Sequence, residues 1–166
     1  MLIDTLERRQ DPVLAMHKLF GSASIVTHPV VTYTDGSCHN NGRPNASAGS
    51  GVYWGEENSL NSATRTPGPG QTNNRAELYA FAVALRDADS QKSLRIVSDS
   101  EYAITAATWN APKAASRGYN VPNGDIVKWL VWLIQRHKAT VRFSYTKGHH
   151  TSYGNKRADE YANKGA

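Results

Sequence analysis

Cysteine is almost missing from this chain: Cys38 is the single one among 166 residues, so no intrachain disulfide can form. Neither a CxxC pair nor a clustered Cys/His set for zinc can be assembled. A reducing, intracellular compartment is expected, with nucleus and cytoplasm not separated. Long apolar runs are also lacking. Nothing approaches the roughly 20 residues needed to cross a bilayer, and no membrane partner is expected. The first 28 residues lack the apolar stretch of about 7–15 residues that marks a secretory signal, and Asp4, Glu7 and Asp11 argue against a transit peptide. There is no repeat and no low-complexity segment. Nor is there an acidic excess: 19 basic residues face 14 acidic ones, for a net charge of +5, which suits a polyanionic partner. The length fits one core with a short appendage.

What is there begins with an N-terminal appendage over residues 1–28, partly helical and without assigned function, its two amphipathic pieces broken at Pro12. The domain proper, residues 29–166, opens on the β-branched run Val30 to Thr34, read as a strand that breaks into a turn at Asp35-Gly36. Residues 49–55 read as a second strand and 61–66 as a weak third, joined by connections too short for crossover helices and hence antiparallel. A helix runs from Asn74 to near Asp89. A strand over 94–98 leads to another helical start at Tyr102 and Ile104. Residues 109–123 are irregular or briefly helical, 125–137 helical with Trp129 and Trp132 in the core, 140–145 a strand, and about 155–163 a last helix. The expected fold class is α/β: a five-stranded mixed sheet, three strands antiparallel and then two parallel, flanked by helices.

Four carboxylates lie at the ends of these elements: Asp35, Glu77, Asp99 and Asp159. Each has an ordinary explanation: a turn at Asp35-Gly36, a capping box from Asn74 to Glu77, a helix cap at Asp99, and a favourable helix-end charge at Asp159. Against these stands the rule that ligands gather beyond the carboxyl ends of parallel strands, where adjacent strand ends are about 5 Å apart. Converging carboxylates repel one another unless cations neutralise them. Hard divalent metal suits such a set, and two ions roughly 4 Å apart can clamp a phosphodiester. The remaining surface is then still more basic, as nucleic-acid backbone requires.

At these residues the sequence resembles type 1 ribonuclease H. The resemblance rests on Tyr33-Thr34-Asp35-Gly36-Ser37-Cys38, on Thr72-Asn73-Asn74-Arg75-Ala76-Glu77-Leu78, on Val97-Ser98-Asp99-Ser100-Glu101-Tyr102, and on Lys147-Gly148-His149 followed by Asn155-Lys156-Arg157-Ala158-Asp159, in family order over about residues 30–166. It implies the ribonuclease H-like fold and hydrolysis of the RNA strand of an RNA–DNA hybrid by the two-metal route, leaving 3′-hydroxyl and 5′-phosphate ends. It also implies two Mg2+ ions, with Mn2+ as a possible substitute, held by the four carboxylates. Asp35 would bridge both ions, Asp159 would complete the nucleophile side, and Glu77 with Asp99 would hold the other. His149 matches the family histidine linked to proton transfer or product release. Main-chain groups at Gly36, Ser37, Ser100 and Glu101 match those that read the 2′-hydroxyl. Asn41, Asn73 and Asn74 match the asparagines that contact nucleic acid, Cys38 and Thr72 lie where the DNA strand's phosphate is held, and Asn155 joins the implied substrate contacts.

The match thins over Trp109 to Asp125, where many relatives carry a basic, Trp-rich protrusion and this chain has only Lys113 and Arg117 as basic residues. A glutamate at position 101 sits poorly against phosphate. Residues 1–28 do not match the accessory hybrid-binding module of eukaryotic relatives. A monomer is expected. The competing readings are an integrase-like or resolvase-like nuclease of the same fold, a noncatalytic nucleic-acid-binding domain, and a ribonuclease H domain from a retroelement reverse transcriptase.

Overall fold

The computed structural model of the chain describes residues 11–147 and 152–166. Helix α1 spans Pro12–Phe20. Pro12 opens this helix where the sequence suggested a break, because a missing N–H costs nothing at the first helical position. Asp11 caps it, accepting from the Val13 amide at 3.0 Å; the piece before it lies outside the described residues. Beyond Gly21 the chain runs alongside the sheet edge: Ile25 bridges Ala139, and the amides of Ser24 and Ile25 donate to the Lys138 carbonyl. Thr27 and Ser93 exchange two hydrogen bonds, each amide donating to the other's hydroxyl.

The sheet comes next, with β1 (Val30–His39), β2 (Ser47–Tyr53) and β3 (Ser62–Arg65), then helix α2 (Asn73–Asp87) and β4 (Leu94–Ser98). Helices α3 (Glu101–Ala107), α4 (Ala111–Ser116) and α5 (Gly124–Arg136) precede β5 (Val141–Tyr145), and α6 (Tyr153–Gly165) closes the chain. The strand order is β3-β2-β1-β4-β5. β1 to β3 pair antiparallel, while β1 with β4 and β4 with β5 pair parallel. That is the mixed sheet expected from the sequence.

The two faces of the sheet are covered differently. On one, α2 lays Leu78, Phe81 and Val83 into a core with Val52, Ile96 and Leu130, and Phe81 meets Phe143 at 4.9 Å between ring centroids. On the other, α6 packs on β1, β2 and β3. Glycine permits that approach: a Cβ on Gly51 would collide with the Ala158 carbonyl and the Ala162 amide of α6. The start of α2 is tied down by the buried Arg75, whose guanidinium donates to both Asp125 carboxylate oxygens at 2.9 and 2.6 Å and to the Pro67 carbonyl at 2.8 Å.

Two expectations are overturned here. β1 does not stop at Asp35; it continues to His39, and the chain turns at Asn40 and Gly42, both at positive φ. Trp132 is not in the core but 50% exposed, stacked under the Arg136 guanidinium at 4.5 Å. It lies two residues past the buried Leu130, on the outward side of α5. Trp129 does pack against the core, beside Tyr79. In the thin stretch, Tyr119 packs inward while Trp109 is 52% exposed.

Candidate active site

Strand register brings the first two carboxylates together. β1 and β4 pair through Tyr33↔Val97, and two residues further along each chain come Asp35 and Asp99. Their pairing ends there, whereas β1 stays paired with β2, Asp35 opposite Gly51. Alternation along β1 sends Asp35 to the α6 side with Tyr33 and Ser37, and Gly36 to the α2 side. A Cβ at Gly36 would strike the Glu77 amide and the Ala76 backbone. This is why the Asp-Gly pair makes no turn: its glycine lets a helix sit against the strand. Ser50 of β2 fastens the contact, donating to the Ala76 carbonyl at 2.7 Å.

Glu77 thereby reaches the two aspartates, and oxygens of Asp35, Glu77 and Asp99 all lie within 4.8 Å of one another. Asp159, on α6, lines the same cleft of about 410 Å³ together with Gly36, Ser37, Cys38, Asn73 and Ser100. The four acids are therefore gathered as the sequence suggested, though not by capping. The caps are Thr72 for α2 and Ser100 for α3, accepting from the Arg75 and Ala103 amides. Glu77 lies in the second turn of its helix and Asp159 well inside α6.

Burial and crowding raise the pKa of two of these carboxyls, Asp35 and Glu77. Asp35 is pushed up to about 7, chiefly by burial and then by Asp99, with the Gly36 amide opposing at 2.8 Å from Oδ1. Burial, followed by Asp35, raises Glu77 well above the ordinary carboxylate value. Carboxyls so placed need a proton or a cation between them. Among the described residues the clustered donors are carboxylate oxygens, hard ligands that suit a divalent cation such as Mg2+ or Mn2+.

The remaining predicted residues fall into three groups. Gly36, Ser37, Cys38, Asn73 and Ser100 line the cleft. Asn41, Thr72, Asn74 and Glu101 are exposed next to them, with Asn41 accepting from the Asn73 amide at 3.3 Å. Asn155 has no exposed surface and donates from Nδ2 to Asp99 Oδ2 at 3.3 Å, so its side chain holds a carboxylate of the cleft. His149 and Gly148 lie outside the described residues.

Gln71 and Asn163 lie outside the four motifs. Gln71 knits the loop before α2, donating to the Thr66 and Gly68 carbonyls and accepting from the Ala48 amide. Asn163 donates from Nδ2 to Asp159 Oδ1 at 3.1 Å and accepts from the Ser37 hydroxyl at 2.5 Å. Its place four residues after Asp159, one helical turn on, is the signal that could have found it.

A family model described as RNase H matches residues 27–166. Ribonuclease H of Schizosaccharomyces pombe is 40% identical over 141 residues, covering 82% of this chain and 52% of the yeast protein. Ribonuclease H1 of Rattus norvegicus is 36% identical over 166 residues, covering 95% of this chain and 57% of the rat protein. Ribonuclease H of Pseudomonas aeruginosa is 34% identical over 142 residues, covering 82% of this chain and 92% of the bacterial protein. The chain thus spans little more than half the length of the yeast and rat relatives.

Proposed function

Because the chain belongs to the RNase H family, we propose that it cuts the RNA strand of RNA–DNA hybrids with two divalent metal ions, leaving 3′-hydroxyl and 5′-phosphate ends. The observation that carries this reading is the convergence of Asp35, Glu77 and Asp99, from three separate elements, within 4.8 Å at a solvent-open cleft that Asp159 also lines.

The fit to Mg2+ rests on the donor set: carboxylate oxygens only, at a site accessible to solvent and to substrate phosphate. Asp35, Glu77, Asp99 and Asp159 would hold the ions. When bound, these supply Lewis acidity on both sides of the scissile phosphodiester, ionising the attacking water near neutral pH and stabilising the departing 3′-oxygen. The chain's own groups do the rest. The Gly36 amide holds Asp35 Oδ1, and Asn155 holds Asp99. Main-chain groups of Gly36, Ser37, Ser100 and Glu101, beside the carboxylates, are placed to read the RNA 2′-hydroxyl. Asn41, Asn73 and Asn74 contact the nucleic acid, and Cys38 and Thr72 beside them hold the DNA strand's phosphate. His149 serves proton transfer or product release. No helix among the described residues is long and apolar enough to cross a membrane.

The test is cleavage of a labelled RNA–DNA hybrid in Mg2+ or EDTA, beside duplex DNA and duplex RNA, by the wild type and Asp35→Asn. Metal-dependent cutting of the hybrid's RNA strand alone, lost in the variant, is expected. Cutting of duplex DNA would transfer the reading to an integrase-like or resolvase-like nuclease, and binding without cutting to a noncatalytic domain.

A further inference from the structure

Among the four carboxylates, Asp159 alone comes from a helix on the far face of the sheet, and a helix can slide or rotate against a sheet by fractions of an ångström. Its position relative to Asp35 must therefore be set by something that joins α6 to β1. One such link among the described residues is polar and continuous. The Ser37 hydroxyl, two residues past Asp35 and on the same face of β1, donates to Asn163 Oδ1 at 2.5 Å. The same amide donates from Nδ2 to Asp159 Oδ1 at 3.1 Å. Asn163 is exposed, so burial does not explain it.

On the reading of the site given above, we infer that Asn163 is a positioning residue that fixes the Asp159 carboxylate for metal binding by tying it to Ser37 on β1. The amide is suited to this because it is donor and acceptor at once: it gives a proton to the carboxylate and takes one from the serine, so both ends are satisfied with one side chain. A carboxylate accepting at one oxygen keeps lone pairs for a cation, while losing the rotational freedom it would otherwise surrender on binding. Groups that orient a metal ligand in this way typically affect metal affinity or activity by about 10- to 100-fold. The same link gives the Ser37 side chain a task separate from substrate contact. Its hydroxyl is committed to Asn163, and its main-chain groups are left for the hybrid.

The experiment compares wild type, Asn163→Ala, Ser37→Ala and Asp159→Asn, with two readouts. Calorimetric titration of Mn2+ into the resting protein measures the site without turnover, and hybrid cleavage across a range of Mg2+ measures it in use. Asn163→Ala is expected to weaken Mn2+ binding and raise the half-saturating Mg2+ concentration on the order of 10-fold, with an unchanged melting midpoint in EDTA and an unchanged KM for hybrid. Ser37→Ala should shift the same quantities in the same direction by less. Asn163→Ala combined with Asp159→Asn should lose nothing beyond Asp159→Asn alone. Wild-type metal binding and metal dependence in Asn163→Ala would overturn the inference, as would a loss that follows the melting midpoint. Failure of the wild type itself to cut hybrid would instead sink the proposed activity, and the Mn2+ titration would still decide the role of Asn163.

Discussion

Asp35 has no exposed surface and a carboxyl pushed up to about 7 by burial and by Asp99. A raised carboxyl pKa means that, between the ordinary value near 4 and about 7, the folded chain holds a proton that the unfolded chain has released. The metal-free fold is therefore most stable below that interval and loses stability as pH rises through 7. Asp35→Asn removes the ionisation. In EDTA at pH 8 it is expected to be more stable than the wild type, by on the order of 4 kcal/mol, and to lose this advantage near pH 4; equal stability relative to the wild type at both pH values would contradict the assignment. Mg2+ should raise the wild-type midpoint at pH 8 far more than at pH 5, because protons and cations compete for the same oxygens. Asn155 makes a second case. Asn155→Ala removes the Nδ2 donor from Asp99 and leaves a buried gap, at a cost of about 1–3 kcal/mol. Denaturant titration should show that loss alongside a weaker Mg2+ dependence of cleavage.

At the scale of elements, the site depends on how near two helices come to two strands. Gly36 admits α2, and Gly51 admits α6. A methyl at either position meets backbone, which cannot swing aside as a side-chain tip would. Gly51→Ala is expected to force α6 outward and cost about 1–3 kcal/mol or more, read as a lower denaturant midpoint. Since α6 carries Asp159, the half-saturating Mg2+ concentration should rise together with it. A substitution on an exposed position of the same helix, such as Lys156→Ala, should change neither.

Across the whole molecule, the acidic cleft and helix α1 occupy separate regions. α1 rests on α4 and α5, Leu19 and Phe20 touch the core, and Gln135 donates to the Leu19 carbonyl at 2.8 Å. None of these residues lines the acidic cleft. Replacing Leu19 and Phe20 together by serine should lower the melting midpoint by on the order of 4–8 °C, from a lost burial of about 2 kcal/mol. Cleavage of hybrid by the folded fraction should be unchanged, and a specific loss of cleavage would mean that α1 takes part in the reaction.

The element order is legible along the chain, and so are the acids that meet at the cleft. β-branched runs, an alanine-rich apolar helix and short connections state the mixed sheet, and four spaced motifs mark the four acids, because both are encoded in local pattern. Packing settles what local pattern leaves ambiguous. An Asp-Gly pair looks the same whether its glycine serves a turn or a helix contact, and only the register with Gly51 and the proximity of Ala76 show the latter. Nothing along the chain shows that Asn155 is buried against Asp99. Trp132 is apolar by composition but faces outward by rotation about α5. The link from Ser37 through Asn163 to Asp159 joins residues 126 apart in sequence, a distance that no pattern along the chain can register and that only packing of α6 on β1 closes.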